Sequence, residues 1–413
     1  MNLPAVAQVR QHLTTDHIAD PAAHVRIHLA ALPLSGRIRP GMRVAIGVGS
    51  RGITCIRDVV GPLIAELRDL GAAPFLVPAM GSHGSGDAEG QAEVLVGYGL
   101  GDLGAPIHSD MTPVQIGEAP DGMPVYWDRN AASADAVIVV NRIKPHTAFR
   151  NRWESGLMKM LAVGLGKAQG AAMIHGWGVR DAMPAAARVA LANKPVIGAI
   201  GIVENGLHQP AAIEVIPAEA IEIHEPALLE LAWQHLPRIP LEPIDLLVLQ
   251  EIGKDISGTG MDLNVVGMWR RTGGEPSPDI RCIAALDLTP NSHGNAVGVG
   301  YCDLIPRRLA DKIDLTATYT NCLTAGNYNG GKVPITLPTD QAVIEAALPR
   351  ANPAGARLVI ARSTLDLGLL WVSTALLAQV QTVPTLEQIG QPQPLAFDAS
   401  GGLALPASIP VFD

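Results

Sequence analysis

Arg43-Val-Ala-Ile-Gly-Val48 runs directly into Gly49-Ser-Arg-Gly52, and residues 53–70 then carry apolar side chains at three- and four-residue spacing. A short apolar run closed by glycine reads as a strand buried on both faces, and the spacing that follows is that of an amphipathic helix. The same order recurs twice. Residues 74–79 lead into Met80-Gly-Ser-His-Gly84 and a helical pattern over 87–100, where Asp87 can accept a free backbone N–H as N-cap. Residues 136–140 lead into Asn141-Arg-Ile-Lys-Pro-His146. Strands alternating with helices in this way predict βαβ units around a parallel sheet.

Working outward, residues 195–203 read as a further buried strand. The stretch 209–243 holds six prolines and is read as a connecting segment with some helix. A second series begins at Ile244-Asp-Leu-Leu-Val-Leu-Gln250 and its glycine-rich loop 252–260. Strands are expected at 281–286 and 357–361, and helices at 303–312 and 340–348. The expectation is an α/β protein of two α/β domains with mainly parallel sheets and an active site in the interdomain cleft at the strand C-terminal ends. The domains are expected at 1–240, for cofactor binding and catalysis, and at 241–413, closing over substrate, with the final segment returning to the first.

Composition agrees with two domains. The chain has 413 residues, of which 48% are apolar and only 4% aromatic, with 43 glycines and 33 prolines. At roughly 150 residues per domain this is enough for two cores, and the glycine excess suits loops in which backbone approaches a ligand. A net charge of −9 supplies no basic stripe for nucleic acid and disfavours adhesion to anionic membranes. Cys55, Cys282, Cys302 and Cys322 are too dispersed for a CxxC metal clip. The N-terminus lacks a basic region followed by an apolar run, and the apolar stretch 367–380 is shorter than the ~20 residues that span a bilayer. A reduced cytoplasmic protein is expected.

In open α/β sheets ligands bind beyond the carboxyl ends of the strands. Arg51, His83 and His146 fall at such ends, so one cation and two imidazoles share a rim. Two histidines facing one pocket can serve as general base and general acid. Taken singly, His83 can equally cap a helix and His146 pack beside Pro145. Arg152-Trp-Glu-Ser-Gly-Leu-Met-Lys159 follows, in which Ser155 and Gly156 open a helix whose free N–H groups suit a phosphate. Lys159 reads either as a nucleophilic amine or as a solvated charge. Gly164-Leu-Gly166 is a weak glycine signal. His175, in Met173-Ile-His-Gly-Trp-Gly178, offers an imidazole suited to nickel, zinc, copper or iron, but one histidine alone is not a metal site.

The order Gly-Ser-His83-Gly, Lys-Pro-His146, Ser-Gly-x-x-Lys159 and Ile-His175-Gly resembles the nickel-pincer-nucleotide lactate racemase family, over the first domain and the start of the second. The resemblance implies a cofactor, the pyridinium-3-thioamide-5-thiocarboxylic acid mononucleotide, that fills three nickel positions itself. One histidine, here His175, supplies the fourth. It implies Lys159 as the cofactor-linked lysine, sixteen residues before His175. It further implies His83 and His146 as the acid/base pair and Arg51 as a substrate-holding cation. The implied reaction inverts C2 of a 2-hydroxy acid by proton-coupled hydride transfer, and the implied partners are that small acid and the enzymes that make the cofactor. The sequence departs from the family at Gly47-Val-Gly-Ser-Arg51, where an acidic residue is usual, and in a longer stretch over 147–158.

In the second domain Gly258-Thr-Gly-Met-Asp-Leu-Asn264 and Trp269-Arg-Arg271 form the most distinctive loop. The family's second substrate-binding cation corresponds to Arg270, whose fork can hold a carboxylate; the other reading is a surface charge. Lys254, Asp255 and Asp262 either line the same cleft or cap and turn the chain. Asn291-Ser-His293-Gly and Asn327-Tyr-Asn-Gly-Gly-Lys332 read as turns, with hydroxyl recognition as the alternative. Two other functions fit the same residues: a zinc hydrolase or lyase with His83, His146 and His175 as ligands, and a non-catalytic nucleotide-binding protein.

Overall fold

Ala5–Gln11 forms the first strand, β1, and it does not join the segment that follows it. In the computed structural model, which describes residues 2–49, 52–81 and 86–405, the chain divides into two compact units. One is Thr14–Leu236. The other combines Met1–Leu13 with Pro237–Asp413. This differs from the expected division at both ends: the first residues belong to the later unit, and the final described strands stay within it. The cause is strand pairing, because β1 is hydrogen-bonded antiparallel to two strands near the C-terminus.

The Thr14–Leu236 unit is built on β2 (Arg43–Val48), β3 (Ala73–Pro78), the hairpin β4 (Pro113–Glu118) and β5 (Pro124–Asp128), β6 (Ala136–Arg142), β7 (Val196–Glu204) and β8 (Pro210–Pro217). Its main sheet runs β3-β2-β6-β7-β8, parallel except for β8. Alternate residues of β2 enter separate cores. Val44, Ile46 and Val48 pack with the helix Ile56–Asp69, whereas Ala45 packs with the helices that follow β6. A strand buried on both faces needs apolar residues throughout, which is why Arg43–Val48 reads as an unbroken run. Gly47 is small because a Cβ there would lie 3.3 Å from Val139.

The segment 209–243 corrects the sequence reading. It contains the expected helix, Ile221–His235, and the passage between the units at Leu236, but also the antiparallel edge strand β8, which was not expected. Its prolines are accommodated individually: Pro210 and Pro217 terminate β8, and Pro226 lies inside the helix. A proline there leaves the carbonyl four residues earlier without its helical donor. That carbonyl belongs to Glu222, and the Trp153 indole N–H donates to it at 2.9 Å.

The main sheet of the other unit joins β1 to β9 (Leu246–Leu249), β10 (Ile283–Ala285), β11 (Leu304–Pro306), β12 (Ile335–Leu337), β13 (Leu358–Ala361), β14 (Leu369–Ser373) and β15 (Leu386–Gln388). Their order is β12-β11-β10-β9-β13-β14-β1-β15. β9 to β13 are parallel, and β14, β1 and β15 pair antiparallel. The helix expected over 303–312 is reduced to one turn, Arg307–Ala310, because its first residues form β11 up to Pro306. The fold is therefore α/β with mainly parallel sheets. Among the described residues no helix is long and apolar enough to cross a membrane.

Candidate functional site

The carboxyl ends of β2, β3, β6 and β7 in the first unit form one rim, and its loops are tied to one another. Gly49 follows β2 at van der Waals limits: a Cβ there would lie 2.0 Å from the Asn141 side chain and 3.4 Å from Met160. Arg51 lies outside the described residues, as does His83. The flanks of the Arg51 loop are held by Gly52 N–H donating to the Tyr98 hydroxyl at 3.0 Å and by Thr54 N–H donating to Glu204 at 2.9 Å. Glu204, at the end of β7, also pairs with Arg142 at the end of β6.

His146 sits in the loop after β6, half-buried, with its ring against Phe149 at 4.3 Å. Its Nδ1 accepts the Ala148 N–H at 3.0 Å, which leaves Nε2 to carry the proton of the neutral ring. Its backbone N–H donates to Glu154 at 2.6 Å. Glu154 also accepts from Asn151 N–H, and burial raises its carboxyl above the ordinary range while those hydrogen bonds and Arg150 pull the other way. This buried glutamate closes the loop around His146. Its neighbours Asn151, Arg152 and Ser155 are polar, so nothing in the local sequence marks it as buried.

Ser155 pairs backbone to backbone with Lys144, and Gly156 opens the helical run Leu157–Lys159. The amides at its start are not open to a phosphate. Glu225, fully buried on the helix Ile221–His235, accepts Met158 N–H at 2.7 Å and also bonds the Leu157 backbone. A Cβ on Gly156 would meet that carboxylate at 2.2 Å, so glycine is required there by contact. Burial pushes the Glu225 carboxyl up to about 7.

After half-buried Lys159 the chain makes a π turn, Met160–Gly164. Trp127 of β5 donates its indole N–H to Leu161, and Asp128 N–H donates to Leu165 at 2.6 Å, so the hairpin grips the irregular turn. Lys167 then adopts φ 55°, a left-handed value that bends the chain into the helix Lys167–Gly176. In one straight helix Lys159 and His175 would stand about 24 Å apart. The bend folds the second helix back against the π turn. His175 occupies its last turn and is exposed.

Lys167 is itself completely buried. Its ammonium donates to Pro78 O at 2.7 Å and Gln91 Oε1 at 3.0 Å and pairs with Asp128 at 3.0 Å. Gln91 in turn donates to Gly81 O, and Gly81 N–H reaches Gly164 O. The network therefore fixes the base of the His83 loop to the run that carries Lys159. Gly164 belongs to the same seam, since a Cβ there would lie 2.6 Å from Ala79 O. The glycines of Gly164-Leu-Gly166 thus serve backbone approach, and neither the sequence spacing nor the glycine signal revealed Lys167.

In the second unit the expected cation is not available. Arg270 donates to Tyr301 O and Ile280 O, both at 3.1 Å, pairs with Asp303 at 3.0 Å and stacks on Trp269, with a side chain only 7% exposed. Its fork is spent on the protein. Lys254 donates to Gly258 O and Asn321, Asp255 accepts from Thr289 and Asn291, and Asp262 caps the turn Leu263–Val266. His293 lies at a left-handed turn position. All four cysteines are free thiols, and burial pushes Cys55 and Cys282 up to about 12. Among the described residues no three His, Cys, Asp or Glu side chains converge as a metal site. A metal at His175 would need donors from outside that set.

No family model and no curated protein matches the sequence. Among solved structures, the chain is similar to the lactate racemase apoprotein from Thermoanaerobacterium thermosaccharolyticum, with a TM-score of 0.51 over 88% of this chain and 99% of that one. At 11% identity the likeness is one of fold.

Proposed function

We propose that this chain is an isomerase, a racemase or epimerase that inverts C2 of a 2-hydroxy acid with a nickel-pincer nucleotide. The observation that carries the reading is the run 157–176, which starts beside the His146 loop, passes Lys159 and bends so that its second helix packs back against the π turn before ending on exposed His175. The likeness of fold to a lactate racemase supports it.

The donor set suits the cofactor in two respects: an exposed imidazole at His175 for nickel and a half-buried amine at Lys159 for the covalent link. A phosphate at the Leu157 and Met158 amides does not fit, because Glu225 holds them. The nucleotide phosphate must be held elsewhere, and Ser155 and Gly156 then shape the turn rather than bind. When bound, the cofactor supplies the hydride acceptor for C2.

His146 and His83 move the hydroxyl proton, and Arg51 holds the carboxylate. With Nδ1 accepting from Ala148, His146 is set to donate from Nε2. In this tautomer Nε2–H donates a hydrogen bond to the substrate oxygen; proton exchange at Nε2 in either direction needs a proton on Nδ1 and so release of the Ala148 contact. Metal analysis of His175→Ala, produced together with the cofactor-synthesis enzymes, tests the reading. Nickel should be lost, and full nickel content would refute the assignment. His146→Ala should keep the nickel and lose racemisation across lactate, malate and sugar acids; unchanged turnover would reject His146.

A further inference from the structure

Arg270 and Arg271 are adjacent but do different things. Arg270 anchors the turn Trp269–Thr272 through two carbonyls and Asp303. Arg271 makes no ion pair among the described residues; it borders a cavity of about 160 Å³ together with Gly326, Asn327, Tyr328 and Asn329. We propose that this cavity in the Pro237–Asp413 unit is a binding pocket for a small hydroxycarboxylate, with Arg271 as the carboxylate-binding residue.

The polar groups there are matched to such an anion. Asn327 is 5% exposed, and both of its side-chain contacts, from the Tyr301 hydroxyl at 2.6 Å and Gly330 N–H at 3.3 Å, use Oδ1. Its Nδ2 donors are left for a ligand. Tyr301 also bonds Arg271, so the tyrosine holds the guanidinium and the amide in one frame. Lys254 and Arg271 both lie close enough to the Cys322 thiol to oppose the upward push of its burial. A planar fork beside amide donors selects a carboxylate over a neutral polyol, and hydroxyl groups of the ligand can accept from Asn327. The cavity is open to solvent on one side and has room for an acid of a few carbons. The turn Asn327-Tyr-Asn-Gly-Gly-Lys332, which the first-unit chemistry leaves unused, thereby acquires a role.

The pocket needs neither cofactor nor turnover, so its test is separate from that of the proposed reaction. Calorimetric titration of the full chain, made without cofactor, with sodium malate should give saturable binding, with glycerol silent and sulfate weaker. Arg271→Met should weaken malate by about tenfold or more, and Arg271→Lys should recover only part, since it restores charge without the fork. Should Arg271→Met fail to fold, Asn327→Asp, which keeps the acceptor for Tyr301 and adds a negative charge, should also weaken malate. Arg307→Met, at an exposed arginine paired with Asp311, should bind as the parent does. Malate binding unchanged in Arg271→Met, absent in the parent, equalled by sulfate, or lost equally in Arg307→Met would each overturn the proposal.

Discussion

Replacing Lys167 with methionine keeps the length and apolar stem of the side chain and removes only the ammonium. Three contacts disappear, to Pro78 O, Gln91 and Asp128, and the Asp128 carboxylate, itself fully buried, is left without its cation. Removing one member of a buried ion pair costs about 3–5 kcal/mol, mostly through the uncompensated charge that remains. For a unit of this size each kcal/mol lowers the melting temperature by about 2–4 °C, so Lys167→Met should melt about 10 °C below the parent. Adding Asp128→Asn removes the orphaned charge while its side-chain oxygen still caps the Ala131 N–H, and the double variant should regain about 2 kcal/mol. Calorimetry and urea titration on the four proteins of this cycle measure both terms. A single variant within about 2 °C of the parent, or a double variant worse than the sum of the singles, would refute the argument that the pair fixes the seam.

Glu225 gives a pH signature. With its carboxyl raised from 4.5 to about 7, the native state binds a proton that the unfolded chain has released, so stability falls as pH rises between those values and is flat above them. The contribution is about 3 kcal/mol, and Glu225→Gln should abolish it and be the more stable protein at pH 8; parallel pH profiles would contradict this. Arg270→Ala should destabilise the second unit by about 2–4 kcal/mol in urea titration, and lysine should not restore it, because one point charge cannot serve Tyr301 O, Ile280 O and Asp303 together. Gly164→Ala should cost about 1–3 kcal/mol through its contact with Ala79 O, whereas Gly47→Ala, limited by a side chain at 3.3 Å, should cost less in the same assay.

The parallel core was legible because burial on both faces writes itself into sequence as unbroken apolar runs, as at Arg43–Val48 and Leu246–Leu249. Short strands such as Leu304–Pro306 and Ile335–Leu337 carry too few residues to show a period, and the first was read as helix. Proline misled at 209–243 because its cost is local: Glu222 found a donor in Trp153, far away in sequence. Candidate residues at strand ends could be named from position. The long-range partners could not, since Glu225 meets Met158 across 67 residues and Lys167 meets Pro78 across 89; Glu154, whose contacts lie within eight residues, was hidden because its polar neighbours do not mark it as buried. Arg270 and Arg271 are chemically identical in sequence; only the carbonyls that surround one of them distinguish their roles.

The pairing of β1 with β14 bears on the order in which the protein can be made. Val6 faces Ser373 and Arg10 faces Leu369, so a strand synthesised before the Thr14–Leu236 unit waits for one synthesised well after it. Between them lies the whole Thr14–Leu236 unit, which has every strand of its own sheet and can fold while the ribosome is still elongating. The second unit closes late and through long-range contacts, which slow folding. Until then β1 is an apolar strand without a neighbour. A fusion or deletion ahead of Leu13 would therefore disturb the domain farthest from it in sequence, leaving β14 and β15 as open edges prone to pairing with other chains.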